Sequence, residues 1–153
     1  MDVKIINPFL TSCENAFESM FNLKPAHNNP YLLDVLASHQ WEISGLLGLT
    51  GDYSGVVAFR LHKILADKML EISGIKITSP EEKEEMAKGL VSEFTNIIAG
   101  NATSSITDKN ISVSPPVVIA GKDHTISWPR SYPVVAIPFT TQLGPFEVDV
   151  CFK

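Results

Sequence analysis

Ser79-Pro80-Glu81-Glu82-Lys83-Glu84-Glu85-Met86, running on through Leu90, Phe94, Ile97 and Ile98 to Ile106, is the stretch on which the fold turns. A serine followed three residues later by glutamate is a capping box, and proline takes the first helical position. The glutamates that follow suit the positive end of a helix dipole. Met86, Leu90, Phe94, Ile97 and Ile98 then recur every three or four residues, which is the stripe of an amphipathic helix. At ~1.5 Å per residue the helix from Ser79 to about Ile106 is roughly 40 Å long.

Outward from it, the chain reads as alternating helices and hairpins. Asp2–Ile6 reads as a short strand, and Asn7-Pro8 as a helix start. Phe9, Leu10, Cys13, Ala16, Phe17, Met20 and Phe21 give a helical stripe from about Pro8 to Phe21. Asn22–Pro30 is a loop, broken by Pro25, Asn28, Asn29 and Pro30. Trp41–Leu49 and Gly55–Phe59 read as strands of an antiparallel hairpin, with Thr50–Ser54 as its turn. His62–Ile72 reads as a short helix. After Asn110, Val117–Ala120, Val134–Thr140 and Phe146–Phe152 are rich in β-branched and aromatic residues. The last two form a second hairpin through Gln142–Pro145, and Gly121–Arg130 is turn-like. The expectation is a single α+β domain over residues 1–153 in two layers. A mainly antiparallel sheet of about six strands carries two long helices and a short one on one face.

Composition narrows the function classes. The 153 residues are 44% hydrophobic and 19% charged, a globular balance. Twelve basic against 17 acidic residues give a net charge of -5, which argues against a nucleic-acid or anionic-membrane partner. Cys13 and Cys151 make no CxxC motif and read as buried thiols of a reducing compartment. The N-terminal stretch lacks the basic and apolar regions of a signal peptide. No apolar run approaches the ~18 residues of a membrane span. A soluble cytoplasmic protein is expected. Gly45, Gly48, Gly51 and Gly55 fall in a hairpin with no Gly-Lys-Ser/Thr, so they are not a phosphate loop.

One constellation carries chemistry. At ~100° per residue, Gly89, Glu93, Asn96 and Gly100 share a sector of roughly 60° on the long helix, away from the apolar stripe. Glu93 and Asn96, at i and i+3, point the same way. Each glycine costs about 1 kcal/mol in a helix interior relative to alanine, and the two remove bulk on either side of the pair, so a partner could approach closely. A carboxylate can pair with a lysine or act as a base. An amide can hold and orient a water by donating one hydrogen bond and accepting another. Together they suit a hydrolysis in which another molecule brings the phosphoryl group and the metal. The plainer reading is an exposed Glu and Asn, with glycines that let another element pack.

The run Ser92-Glu93-Phe94-Thr95-Asn96-Ile97-Ile98-Ala99-Gly100-Asn101-Ala102 resembles the signature helix of the CheC/CheX/FliY phosphatases of bacterial chemotaxis. Asn7-Pro8-Phe9, the Trp41–Phe59 hairpin and Ser114–Gly121 are also similar to CheX proteins, so the likeness spans essentially the whole chain. It implies a phosphatase acting on the phospho-aspartate of a CheY-type response regulator. Glu93 would bind the regulator's lysine and Asn96 would orient the attacking water. Gly89 and Gly100 would meet the partner. The Mg²⁺ would belong to the regulator, leaving this chain without a cofactor or metal ligands of its own. A homodimer is implied as well. CheC-like proteins carry two such motifs. Here only Glu93 has asparagine three residues on, whereas Glu14 is followed by Phe17 and Glu18 by Phe21. Gly89 departs from the Asp or Ser often found there in the family, and Pro115 and Pro116 come slightly early.

Two rival readings remain at this level. One is a non-catalytic CheC-like module that binds a regulator or a flagellar switch protein. The other is a structural dimer in which Gly89 and Gly100 serve packing. His27, His39, His62 and His124 are scattered and read as surface or structural. Trp41 and Trp128 read as core or interface anchors, and Asn101 as structural.

Overall fold

The computed structural model describes residues 3–153. Its elements in chain order are α1 (Val3–Phe21), β1 (Ala26–His27), β2 (Tyr31–Leu32), β3 (Ile43–Gly51), β4 (Gly55–Leu61), α2 (Lys63–Ile72), α3 (Pro80–Ser105), β5 (Ile111–Val113), β6 (Val117–Ala120), β7 (Val134–Thr141) and β8 (Gly144–Phe152). All eight strands form one sheet in the order β1-β7-β8-β4-β3-β5, with β2 also on β7 and β6 also on β3. Every pairing is antiparallel. The two expected hairpins are β3–β4 and β7–β8.

The expectation needs two corrections. Val3–Ile6 is the first turn of α1 and not a strand, while Asp2 lies outside the described residues. Ile5, Ile6, Phe9 and Cys13 are all buried on one side of that helix. Their burial outweighs the hydrogen bond lost at Pro8, which sits inside the helix. The sheet has eight strands and not six. The N-terminal strand is gone, and β1, β2 and β5 are added, each two or three residues long. β1 and β2 lie in the segment expected to be a loop and its flank, pairing Ala26 with Thr140 and Tyr31 with Ala136. β5 and β6 are two halves of one edge against β3, interrupted at Pro115 and Pro116, which have no N–H to give. Ser114 keeps the register across the gap: its N–H donates to the Gly48 carbonyl, and its Oγ accepts from the Gly48 N–H at 2.7 Å.

The helices cover one face of the sheet. Phe59 of β4 and Phe146 of β8 point to that side, Phe94 of α3 packs on Phe59 at 4.8 Å between ring centroids, and Phe17 of α1 stacks on Phe146 at 5.3 Å. Phe17 and Phe94 meet edge-on at 6.0 Å, which sets α1 beside α3. Leu65, Ala66, Met69 and Leu70 of α2 join the same core. Gly45 fixes how closely α3 lies on the sheet. A Cβ there would fall 2.1 Å from Thr95 Oγ1 and 3.1 Å from Val91 Cγ1. Only a glycine lets the helix sit at that height.

Candidate functional site on the long helix

α3 begins as its capping chemistry dictates. The Ser79 Oγ accepts from the Glu82 N–H at 3.2 Å. Glu82 reaches back to Thr78, accepting from its N–H at 3.0 Å and from its hydroxyl. These bonds hold the Glu82 carboxyl below the ordinary glutamate range. The box thus closes on the residue before the cap and not on the cap itself.

The inner side of α3 buries Leu90, Val91, Phe94, Thr95, Ile98 and Ala99. The Thr95 hydroxyl donates to the Val91 carbonyl at 2.7 Å, so it needs no partner from the sheet. Rotation about the axis then points Gly89, Glu93 and Asn96 to solvent, with Gly100 half-buried beside them. Among the described residues neither Glu93 nor Asn96 has a hydrogen bond or an ion pair. A Cβ added at Gly89 or Gly100 would meet nothing within 4 Å. Among the described residues no other element fills the space beside those glycines. The constellation drawn from spacing is therefore one open surface, with a carboxylate and an amide side by side, about 5–6 Å apart at Cβ.

Met86 and Ile97, read from the sequence as core positions, are half-buried and border this surface. On a ~100° wheel they fall within roughly 40° of Glu93, a signal available in the sequence. Asn101, in the last turns of α3, is exposed and not structural. On the neighbouring helix Glu14 is occupied, its carboxylate 2.7 Å from His27 Nδ1.

The histidines have partners that the sequence did not reveal. His62 lies 3.7 Å from Glu42 and against Trp41. His124 Nε2 lies 2.7 Å from Ser44 Oγ. Arg60 donates to His39 Nε2 at 2.7 Å. Burial and the Arg60 charge lower the His39 pKa. These contacts lie away from Glu93, on strands and loops of the sheet. Cys13 and Cys151 are free and buried, with burial raising both thiols. No helix among the described residues is long and apolar enough to cross a membrane.

Known proteins share this family and fold. The family model described as chemotaxis phosphatase CheX matches residues 43–140. Comparison with curated proteins gives no sequence match. Among solved structures, a CheC-like superfamily protein from Shewanella sp. PV-4 is 30% identical, with TM-score 0.87, covering 100% of this chain and 99% of that one. A CheX from Desulfovibrio desulfuricans is 29% identical, with TM-score 0.87 and coverage of 99% and 100%. CheX in a complex with CheY, BeF3 and Mg²⁺ from Borrelia burgdorferi is 22% identical, with TM-score 0.82 and coverage of 97% on both sides. The chain belongs to the CheX family of chemotaxis phosphatases.

Proposed function

We propose that this CheX-family chain hydrolyses the phospho-aspartate of a CheY-type response regulator, using Glu93 and Asn96 on the open face of α3. One observation carries the reading: the two side chains stand together in solvent with no partner of their own, flanked by glycines whose space is empty. The Borrelia relative was solved bound to CheY, which supports a partner of that kind.

The chemistry follows from the groups. A water oxygen forms a bond to phosphorus as the bond from phosphorus to the aspartyl oxygen breaks. The aspartate leaves as a carboxylate, and the proton lost by the water passes to bulk solvent. Asn96 holds that water, its amide oxygen accepting from it and its NH₂ free to donate. Orientation of this kind converts a random encounter into a near-attack geometry. Glu93 pairs with a lysine of the regulator, which fixes the register of the helix over the phosphoryl group. The Mg²⁺ that neutralises the phosphoryl oxygens comes with the regulator. A homodimer and a cytoplasmic setting belong to the same proposal. Two buried free thiols suit a reducing compartment, and a mass of twice 16.8 kDa in solution tests the dimer.

The test is phosphate release from a phosphorylated CheY-type partner with Mg²⁺ present. Glu93→Ala should weaken productive docking, and Asn96→Ala should slow release by at least ~10²-fold, as for other single positioning groups. If the wild-type chain binds the phosphorylated partner without speeding its decay, the protein is a binding module and the proposal fails.

A further inference from the structure

The face of the sheet turned away from the helices holds charges that this reading does not use. Arg60 of β4 and Glu147 and Asp149 of β8 are 3%, 4% and 0% exposed. Burying charge is expensive unless each group is matched. Arg60 is fully engaged: Nε donates to Ser44 Oγ at 3.2 Å, one terminal nitrogen donates to His39, and the other lies 3.5 Å from Asp149. Glu147 accepts one hydrogen bond, from the Tyr31 hydroxyl at 2.5 Å. Among the described residues both oxygens of Asp149 lack a hydrogen bond, one of them facing the Arg60 guanidinium at 3.5 Å. Such a group calls for an explanation.

A cavity of about 260 Å³ opens over this cluster. Arg60 and Glu147 are its buried lining, Asp34 is an exposed carboxylate beside them, and Tyr31, Trp41 and Trp128 supply aromatic walls. Counting Asp149 beneath, three carboxylates stand against one guanidinium. We propose that this cavity binds a compact organic cation, a primary or quaternary ammonium of a few heavy atoms, held by Glu147 and Asp34 among the three aromatic side chains. Aromatic faces with an adjacent carboxylate are the recognition chemistry of such cations. The volume is below the ~300 Å³ at which drug-sized pockets begin, which limits the ligand to a small one. Among the described residues no three His, Cys, Asp or Glu side chains are placed to hold a metal ion.

Burial and the neighbouring Glu147 raise the Asp149 carboxyl well above the ordinary range. The other titratable groups facing the pair are Arg60, the Tyr31 phenol, pushed upward by burial and Glu147, and His39, lowered by burial and Arg60. His124 lies beyond, against His39.

Trp41 and Trp128 are the two tryptophans of the chain, so intrinsic fluorescence reads this cavity. The experiment titrates the full chain with n-propylammonium chloride and tetramethylammonium chloride, with n-propanol and sodium chloride as controls. We expect a saturable change with an ammonium probe and not with the controls. Asp34→Asn should weaken it about fivefold, and Glu147→Gln should abolish it. No saturable change with either ammonium, an equal response to n-propanol, or unchanged affinity in Asp34→Asn overturns the proposal. The Asp34 variant decides the matter if Glu147→Gln does not fold.

Discussion

Gly45→Ala probes the contact that sets the position of α3. The new methyl would lie 2.1 Å from Thr95 Oγ1, 3.2 Å from Thr95 Cβ and 3.1 Å from Val91 Cγ1. Thr95 is β-branched and its hydroxyl is bonded to the Val91 carbonyl, so it cannot swing away without losing that bond. The helix must instead rise by about 1 Å or the rotamer must break. Overpacking of this kind costs about 1–3 kcal/mol. Against it stands the gain of about 0.4–1 kcal/mol from a less flexible unfolded chain. The net is a loss of up to about 2.6 kcal/mol, or up to roughly 10 °C in Tm for a domain of this size. Thermal or urea unfolding measures it. The same displacement moves Glu93 and Asn96, and a 1 Å misplacement can cost ~10²-fold in rate, so phosphate release should fall more than stability alone explains. Thr95→Ala in the Gly45→Ala background should recover part of both losses, which a double-mutant cycle reads as coupling. A Gly45→Ala chain as stable as wild type, with full activity, would refute the idea that this approach positions the site.

Other outcomes follow from single contacts. Ser79→Ala removes the cap that accepts from the Glu82 N–H and should cost about 1 kcal/mol by urea unfolding. Asp149 has a raised folded-state pKa, so the folded chain binds the extra proton. Stability should then fall as pH rises from the ordinary carboxyl range toward the raised value. Asp149→Asn should flatten that decline in a pH series of unfolding curves. Ile97→Asn, at the border of the Glu93–Asn96 surface, should raise the KM for the phosphorylated regulator and leave kcat nearly unchanged, because it strips docking area and not the oriented water.

The parts legible in the sequence were those whose signal is local. The Ser79 capping box and the spacing of Leu90, Phe94 and Ile98 placed α3, and the same periodicity placed Glu93 and Asn96 on one open face. What escaped depends on distant partners. Val3, Ile5 and Ile6 look like a strand because they are β-branched, and they become helical because Ile5 and Ile6 reach the core beside Phe9. β1, β2 and β5 are too short to show a period, and exist only because β7 and β3 offer edges. Glu147 and Asp149 alternate with valines, which marks a second face of β8. That His39 and the two tryptophans wall a cavity over this face could not be read from spacing, since those residues arrive from segments of irregular structure.

The most direct measurement is single-turnover loss of the phosphoryl group from a purified CheY-type regulator, with wild-type chain and with Asn96→Ala, alongside binding of each to the BeF3-loaded regulator. The Asn96→Ala chain should still bind, while the decay rate drops at least ~10²-fold toward that of the regulator alone. Decay at the wild-type rate in the Asn96→Ala chain would contradict it.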